Sequence, residues 1–472
     1  MNSDVIVRLT GRQKEELRSH LFPGDESEAV ALALCGKHRG AGRICLSVME
    51  IHPIPHSECD RSADRVTWST DRLRPLLQRA NDEGLSILKI HSHPNGFDRF
   101  SEYDDRSDAD FFTATESWVE SGGPHATAVM LPSGCMFGRY GIEEGGFQPL
   151  QMMSVAGDEL EFWFDRDEEM PVVPDFADRH AQVLGEGTFA KMRRLRVAVV
   201  GCSGTGSPVV EQLYRLGVGE LVLVDPDSVG PENLNRIINS RHRHASSKTP
   251  KVKLLADAIE DTGLGTHVFP IQKDLSDPEA IQAVASCDLI FGCVDSVFAR
   301  FLLNKIASTY CVPYIDVGIG IRANGSGGIG HATGAVHYLQ PDGSSLINRG
   351  VFSMEDVRAD AMARSAPDDY ADQLDAGYIR GADVSRPAVI TINQLFGSYA
   401  VLEMLARLHP IRTDDNAGFA AQRWSLSGDF RNAEPDGERC TIVAKYLGSG
   451  DMIPPLGLPA LSIQREVRRA NA

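Results

Sequence analysis

The stretch LRVAVVGCSGTGSPVVEQLYRLG, residues 195–217, constrains this chain more than any other. It reads as an apolar strand, a glycine turn and an amphipathic helix. Gly201, Gly204 and Gly206 let the backbone approach phosphate groups at a helix N-terminus. Strand and helix patterns keep alternating beyond it, with ELVLVD, KVKLLADAIED and CDLIFGCVD, as in a parallel α/β sheet. The turn alone indicates only a nucleotide. Nineteen residues after Gly206, Asp225 stands where an acidic side chain binds ribose hydroxyls, so a nicotinamide dehydrogenase remains open at this point.

With 472 residues the chain is long enough for two or three domains. Up to about residue 150 the texture is different: AVALALCG, RICLSVMEI, LSILKIHSH, ATAVMLP and GCMFGRY read as strands, and a helical pattern covers Thr70 to Ala80, which makes an α+β unit. The acidic, proline-bearing DRDEEMPVVPD at 165–175 breaks any helix. The expected division is a domain over 1–165, a linker over 166–175 and a Rossmann-like domain over 176–472. No apolar run is long enough to span a membrane and no basic-then-apolar leader is present, so a soluble cytoplasmic protein is expected. Nine cysteines occur singly without a C-x-x-C pair, against a zinc knuckle or a disulfide framework. A net charge of -18 disfavours nucleic acid as a partner.

The loop HSHPNGFDRFSEYD begins at His91. His91 and His93 alternate at the end of a strand and project to one side, and Asp104 can close a three-ligand set. A catalytic zinc takes three such ligands and keeps one position for water. The spacing H-x-H-x7-S-x-x-D resembles the JAMM/MPN+ (JAB-type) metalloproteases over the first third of the chain. That resemblance implies zinc held by His91, His93 and Asp104, Ser101 as donor to the oxyanion, and an upstream glutamate as base. Glu28 stands where the family places it, with Glu26 the weaker alternative. His52, His56, His125, Cys35, Cys45, Cys59 and Cys135 read as structural.

In the second half, DPDSVGPENLNR from Asp225, then Lys251, then Asp295 and Arg300 in DSVFAR add cations and a second acidic group. Hydride transfer has no use for them, whereas activation of a carboxylate by ATP does. The D-x-D-x-V, N-L-x-R, K and D-x4-R elements resemble the ThiF/MoeB and ubiquitin-activating-enzyme superfamily over about residues 176–410. The resemblance implies that Asp225 binds ribose, Asn233, Arg236 and Lys251 contact phosphates, and Asp295 holds Mg²⁺ with Arg300 in support. Arg179 resembles an arginine that reaches into a neighbouring subunit, which implies a homodimer. Two departures stand out. Ser203 replaces a third glycine of the turn, and the polar segment at 352–384, read as an insertion or crossing loop, has no cysteine to take a thioester. Cys440, Ser344 and Ser345 are the alternatives, beside direct release of the adenylate. His242 and His244 read as a solvated loop, and Cys202, Cys287, Cys293 and Cys311 as packing.

Taken together, the resemblances imply an enzyme that adenylates the C-terminal glycine of a ubiquitin-like protein and cleaves peptide or isopeptide bonds at that terminus, in a bacterial setting, with a conjugating-enzyme-like partner. Two alternatives stay open: a sulfur-carrier adenylyltransferase whose peptidase trims the carrier, and a catalytically dead binding module.

Overall fold

A computed structural model describes residues 4–120, 122–142, 145–166, 168–365, 368, 370 and 388–462. The chain divides into two units: Met1–Glu169 with Ser308–Cys311 and Tyr446–Gly457, and the remainder. The two short segments fall within the span that the sequence assigns to the second domain.

The first unit carries strands β1 (Asp4–Thr10), β2 (Val30–Gly40), β3 (Arg43–Pro53), β4 (Cys59–Ser62), β5 (Arg65–Trp68), β6 (Ser86–Ser92), β7 (Ala126–Met130), β8 (Met136–Gly141), β9 (Phe147–Pro149), β10 (Met152–Ala156) and β11 (Leu160–Phe164), with helices α1 (Gly11–Leu21), α2 (Leu73–Glu83) and α3 (Glu102–Trp118). Nine of the strands form one sheet in the order β11-β10-β1-β3-β2-β6-β7-β8-β9, and β4 pairs with β5 in a separate hairpin. The sheet is buried on both faces, which is why β2 reads as a continuous apolar run. Ala31, Ala33 and Cys35 pack with Leu17 and Leu21 of α1, while Val30, Leu32 and Leu34 pack with Leu76, Leu77 and Ala80 of α2 and with Phe111 and Phe112 of α3. Period-two alternation assigns β6 the same way: Leu88 and Ile90 join the α1 side and Ile87 the other. Lys89 and His91 share the parity of Ile87 and therefore look toward α2 and α3. Residues 70–72, expected as the start of a helix, form a 3-10 turn that leads into α2.

The second unit holds β12 (Arg196–Val200), β13 (Glu220–Val224), β14 (His267–Ile271), β15 (Leu289–Gly292), β16 (Tyr314–Ala323), β17 (Ile329–Leu339), β18 (Ala421–Ser425) and β19 (Phe430–Glu434). Its helices are α4 (Asp178–Leu184), α5 (Glu186–Arg194), α6 (Gly206–Arg215), α7 (His242–Ser246), α8 (Lys251–Thr262), α9 (Pro278–Ala285), α10 (Val297–Thr309), α11 (Met354–Ser365) and α12 (Ile390–Leu408). The sheet runs β14-β13-β12-β15-β16-β17-β18-β19, parallel from β14 to β16 and antiparallel beyond. Strand order reverses between β12 and β15, and ligands of such sheets bind at the carboxyl ends of the strands beside that point. Most of the expected 352–384 segment beyond α11 lies outside the described residues, as does the run that precedes α12 up to residue 387.

Candidate functional site

In the first unit, β6 delivers His91 and His93 to the N-terminus of α3. His91 Nε2 lies 3.0 Å from Asp104 Oδ1, His93 Nε2 lies 3.4 Å from Asp104 Oδ2, and the two Nε2 atoms are 3.1 Å apart. All three side chains are buried and their ligand atoms lie within 4.8 Å of one another. His93 Nδ1 is 2.6 Å from the Phe97 carbonyl, so its N–H points there and Nε2 is left with its lone pair toward the cluster. Burial lowers the His91 pKa. Burial also acts to lower that of His93, but Asp104, the Phe97 carbonyl and Glu28 outweigh it and the value rises. Burial alone would raise the Asp104 carboxyl; the hydrogen bonds from His91 and His93 overcome this and hold it well below the usual range. Three converging donors on buried, oriented side chains fit zinc.

Ser101 is the N-cap of α3, in a reciprocal capping box. Its hydroxyl donates to Asp104 Oδ2 at 2.8 Å, its N–H donates to the same oxygen at 2.7 Å, and its Oγ accepts the Asp104 N–H at 3.2 Å. Serine and aspartate at this spacing therefore have a structural use as well as the chemical one that the resemblance implies.

Glu28 precedes β2, is 4% exposed, and places Oε1 3.9 Å from His93 Nε2. Burial pushes its carboxyl up to about 7, with His93 opposing and Asp104 and Asp64 adding to the rise. The backbone around it is fixed by the β4–β5 hairpin: Glu28 N–H donates to the Ser62 carbonyl at 2.8 Å, and Arg61 Nε donates to the Glu28 carbonyl at 2.6 Å. Glu26 is exposed in a left-handed turn, φ 56°, and is not part of the cluster. Val66 and Trp68 of the hairpin and Tyr103 of α3 line a small cleft with Glu28, His91 and Asp104, and Thr67 Oγ1 lies 2.9 Å from the Tyr103 hydroxyl.

Sequence reading missed the support beneath this cluster. Asp108, one turn after Asp104 on α3, is fully buried and 2.5 Å from Lys89 Nζ, 2.7 Å from Arg139 Nη2 and 2.7 Å from Thr127 Oγ1. The alternation of Lys89 with His91 along β6 is the signal that could have found it.

The second unit opens a cleft of about 960 Å³ at the switch point, lined by Gly201, Gly204, Asp225, Asn233, Arg236, Lys251, Asp295 and Arg300 together with Ser203. That is room enough for a nucleotide. The glycines are required by contact: Gly201 has φ 90°, and a Cβ on Gly206 would sit 1.8 Å from the Gly201 carbonyl oxygen. A Cβ on Gly204 would press on Arg236 Cδ at 2.9 Å. Asp225 ends β13, where Oδ2 accepts the Cys202 N–H at 2.7 Å and Oδ1 the Asp227 N–H at 2.9 Å. Burial raises its carboxyl in spite of Lys251, whose Nζ lies 3.4 Å from Oδ1 and 2.7 Å from Asp227 Oδ2. Asn233 is buried and accepts the Gly230 N–H at 2.9 Å. Asp295 is exposed at the cleft.

Arg300 is fixed by a residue that the sequence did not single out. Asp316 of β16 is fully buried and takes a two-pronged contact from Arg300, with Nε at 2.9 Å from Oδ1, and the Tyr314 hydroxyl donates to Oδ1 at 2.6 Å. Asn393 of α12 was also missed: it lines the cleft, donates to Thr205 Oγ1 at 2.9 Å and leaves a buried Oδ1 without a hydrogen-bond partner.

Arg179 is exposed on α4 and does not line the cleft. The alternatives for a covalent step are enclosed. Ser344 Oγ is 2.5 Å from Asp436 Oδ1 and accepts from Arg349 Nε at 2.8 Å, while Ser345 Oγ is 3.1 Å from the Sγ of Cys440, itself 1% exposed.

A zinc-type donor cluster in one unit and a switch-point nucleotide cleft in the other define a chain with two sites of the kind that an enzyme uses. Residues 177–442, more than half of the chain, match the ThiF family, and the chain belongs to it. Residues 12–137 match the prokaryotic homologs of the JAB domain, so the fusion expected from the two motifs is present. The Molybdopterin-synthase adenylyltransferase of Salmonella typhimurium is 34% identical over 134 residues, 28% of this chain and 53% of that protein. The SAMP-activating enzyme E1 of Haloferax volcanii is 30% identical over 148 residues, 31% of this chain and 50% of that one. The chain thus spans about half the length of these curated relatives. Escherichia coli MccB aligns at 15% identity and a TM-score of 0.42 over 57% of this chain and 74% of that one. Among the described residues no helix is long and apolar enough to cross a membrane.

Proposed function

We propose that this chain is a two-site enzyme acting on the C-terminus of a small ubiquitin-like or sulfur-carrier protein. The second unit adenylates the terminal glycine with ATP, and the first hydrolyses the peptide or isopeptide bond that follows such a terminus. The observation that carries the reading is the convergence of Asp225, Arg236, Lys251, Asp295 and Arg300 on one cleft. In the adenylation step a carboxylate oxygen bonds to the α-phosphorus, the α–β phosphate bond breaks, and pyrophosphate leaves. Arg236 and Lys251 neutralise the charge on the departing phosphates, Asp225 takes the ribose hydroxyls, and Arg300 is held ready by Asp316. Asp295 would hold Mg²⁺, which supplies further charge neutralisation.

In the first unit His91, His93 and Asp104 would hold zinc, whose contribution is Lewis acidity toward the scissile carbonyl and a lowered pKa for water. Glu28, with its carboxyl near neutrality, takes the proton of the attacking water and returns it to the leaving amine nitrogen. For Ser101 to donate to the oxyanion its hydroxyl must turn away from Asp104. A homodimer with Arg179 acting across the interface, a conjugating-enzyme-like partner and a cytoplasmic site of action belong to the same proposal.

The similarity to the Salmonella enzyme supports a sulfur carrier as the acceptor, and that to the Haloferax enzyme supports a protein modifier. The test is ATP–pyrophosphate exchange by the purified full chain with a β-grasp protein ending in Gly-Gly, beside zinc analysis. Exchange abolished by Asp295→Ala, together with one zinc per chain lost in His93→Ala, is the expected outcome. Turnover of that kind also excludes a catalytically dead binding module. Exchange that persists in Asp295→Ala would sink the assignment of the cleft.

A further inference from the structure

Helix α11 is bonded to two of the turns that line the nucleotide cleft. Asp360 Oδ2 accepts the Ser296 hydroxyl at 2.6 Å and the Phe298 N–H at 2.9 Å, and so supplies an acceptor to the first turn of α10, the helix that follows Asp295 and carries Arg300. One turn further along α11, Arg364 donates through Nη1 to Asp274 Oδ2 at 3.0 Å and holds Nε 3.7 Å from Asp360 Oδ2. Asp274 is fixed in its own turn after β14, where Oδ1 accepts the Ser276 N–H at 2.9 Å and the Ser276 hydroxyl at 2.7 Å. Arg364, Asp274 and Ser296 all line the cleft.

The order of the strands says which part of a nucleotide these residues meet. With the glycine turn at the end of β12 for the phosphates and Asp225 at the end of β13 for the ribose, the next strand in the same direction is β14. The base therefore falls at the end of β14, where Lys273, Asp274 and Leu275 line the cleft. Leu275 is buried and gives that end an apolar side chain. Arg364 reaches the same end from α11. Its hydrogen bond to Asp274 runs along the edge of the guanidinium and leaves the faces open, and such a face stacks on a flat aromatic ring.

We propose that Arg364 covers the base of the bound nucleotide, its guanidinium stacking on the ring while Asp274 and Asp360 set its plane. This rests on the nucleotide reading of the cleft above. It makes α11 part of the ATP site, since the carboxylate that meets the start of α10 on the phosphate side also orients the side chain that covers the base.

The experiment is titration calorimetry on the full chain with Mg²⁺, comparing ATP with inorganic tripolyphosphate, which has the phosphates and no base. Arg364→Ala is expected to weaken ATP about tenfold, the worth of one stacked base, and to leave tripolyphosphate within about twofold of wild type. Arg364→Lys keeps the charge and loses the flat face, so it is expected to behave as alanine does. ATP affinity within about twofold of wild type in either variant, or a lysine variant in which both ligands weaken alike, overturns the inference. Where alanine disturbs α11 and weakens both ligands, the lysine variant decides alone. Pyrophosphate exchange separates the two ideas: ATP weakened as expected by a chain that shows no exchange refutes adenylation and leaves Arg364 in place, while unchanged ATP affinity with exchange intact does the reverse.

Discussion

Replacing Asp108 with alanine should loosen the His91, His93 and Asp104 cluster without touching any of its three residues. The carboxylate is fully buried between Lys89, 4% exposed, and Arg139, 8% exposed, at 2.5 and 2.7 Å. Removing it leaves two cations in a region that cannot solvate them, a change that typically costs about 3–5 kcal/mol. Arg139 keeps a second partner in Asp105 at 2.5 Å and lies over the Phe100 ring at 3.8 Å, so most of the penalty falls on Lys89, and the lower end of that range, about 3 kcal/mol, is expected. At a urea m-value of about 2 kcal/mol per molar this moves the midpoint of the first unit down by roughly 1.5 M. Three of the four tryptophans, Trp68, Trp118 and Trp163, lie in that unit, so intrinsic fluorescence in a Trp424→Phe background reports on it. Asp104 shares α3 with Asp108, and zinc affinity by chelator competition should fall about 10- to 100-fold. The triple change Lys89→Met, Asp108→Leu, Arg139→Met removes charge and partner together and should recover more than half of the lost stability. A midpoint for Asp108→Ala within about 0.3 M of wild type, or a triple variant weaker than the single, would refute the reasoning.

Gly206→Ala forces a methyl group onto the Gly201 carbonyl, 1.8 Å away before any adjustment, and should cost about 1–3 kcal/mol and most of the ATP-induced thermal shift. Asp316→Ala frees the guanidinium of Arg300, and the KM for ATP in pyrophosphate exchange should rise roughly 10- to 100-fold, the worth of a charge-assisted pair; an unchanged KM would remove Asp316 from the site. His125 is buried and its Nδ1 accepts the Ile87 N–H at 3.0 Å, and burial, with Lys37 adding, lowers its pKa from 6.5 to about 4. The unfolded chain therefore binds this proton more readily, so the stabilisation is full above pH 6.5 and is lost as pH falls toward 4, by about 3 kcal/mol. His125→Gln should flatten that part of the urea-midpoint profile.

The two motifs were legible because their chemistry sits at short, fixed offsets. HSHPNGFDRFSEYD brings its own ligands together through one strand end and one helix start, and the strand, glycine turn and helix of residues 195–217 are local by construction. What could not be read depends on pairing between distant segments. Asp316 meets Arg300 only because β15 and β16 lie side by side, and Asp108 meets Arg139 only after β7 and β8 have closed over α3. Glu28 was placed by its position before an apolar run, but the hairpin that fixes its backbone was not foreseen, since CDRSADRVTW is polar and lacks the apolar alternation of a half-buried strand. Ser101 shows the opposite ambiguity, because S-x-x-D is equally the signature of a helix cap.

The first unit takes back Ser308–Cys311 and Tyr446–Gly457 from far downstream. There Gly36 receives the segment so closely that a Cβ would lie 2.2 Å from Ser449, the Gly448 N–H reaches the Ser308 carbonyl, and Asp451 Oδ1 stands 2.9 Å from His38 Nδ1. A stop codon after residue 169 would therefore amputate part of that unit's own wall, and the N-terminal half cannot be isolated by truncation. Proteolytic nicking in the 165–175 region instead keeps every segment of that unit present, with 308–311 and 446–457 still tying it to the rest of the chain.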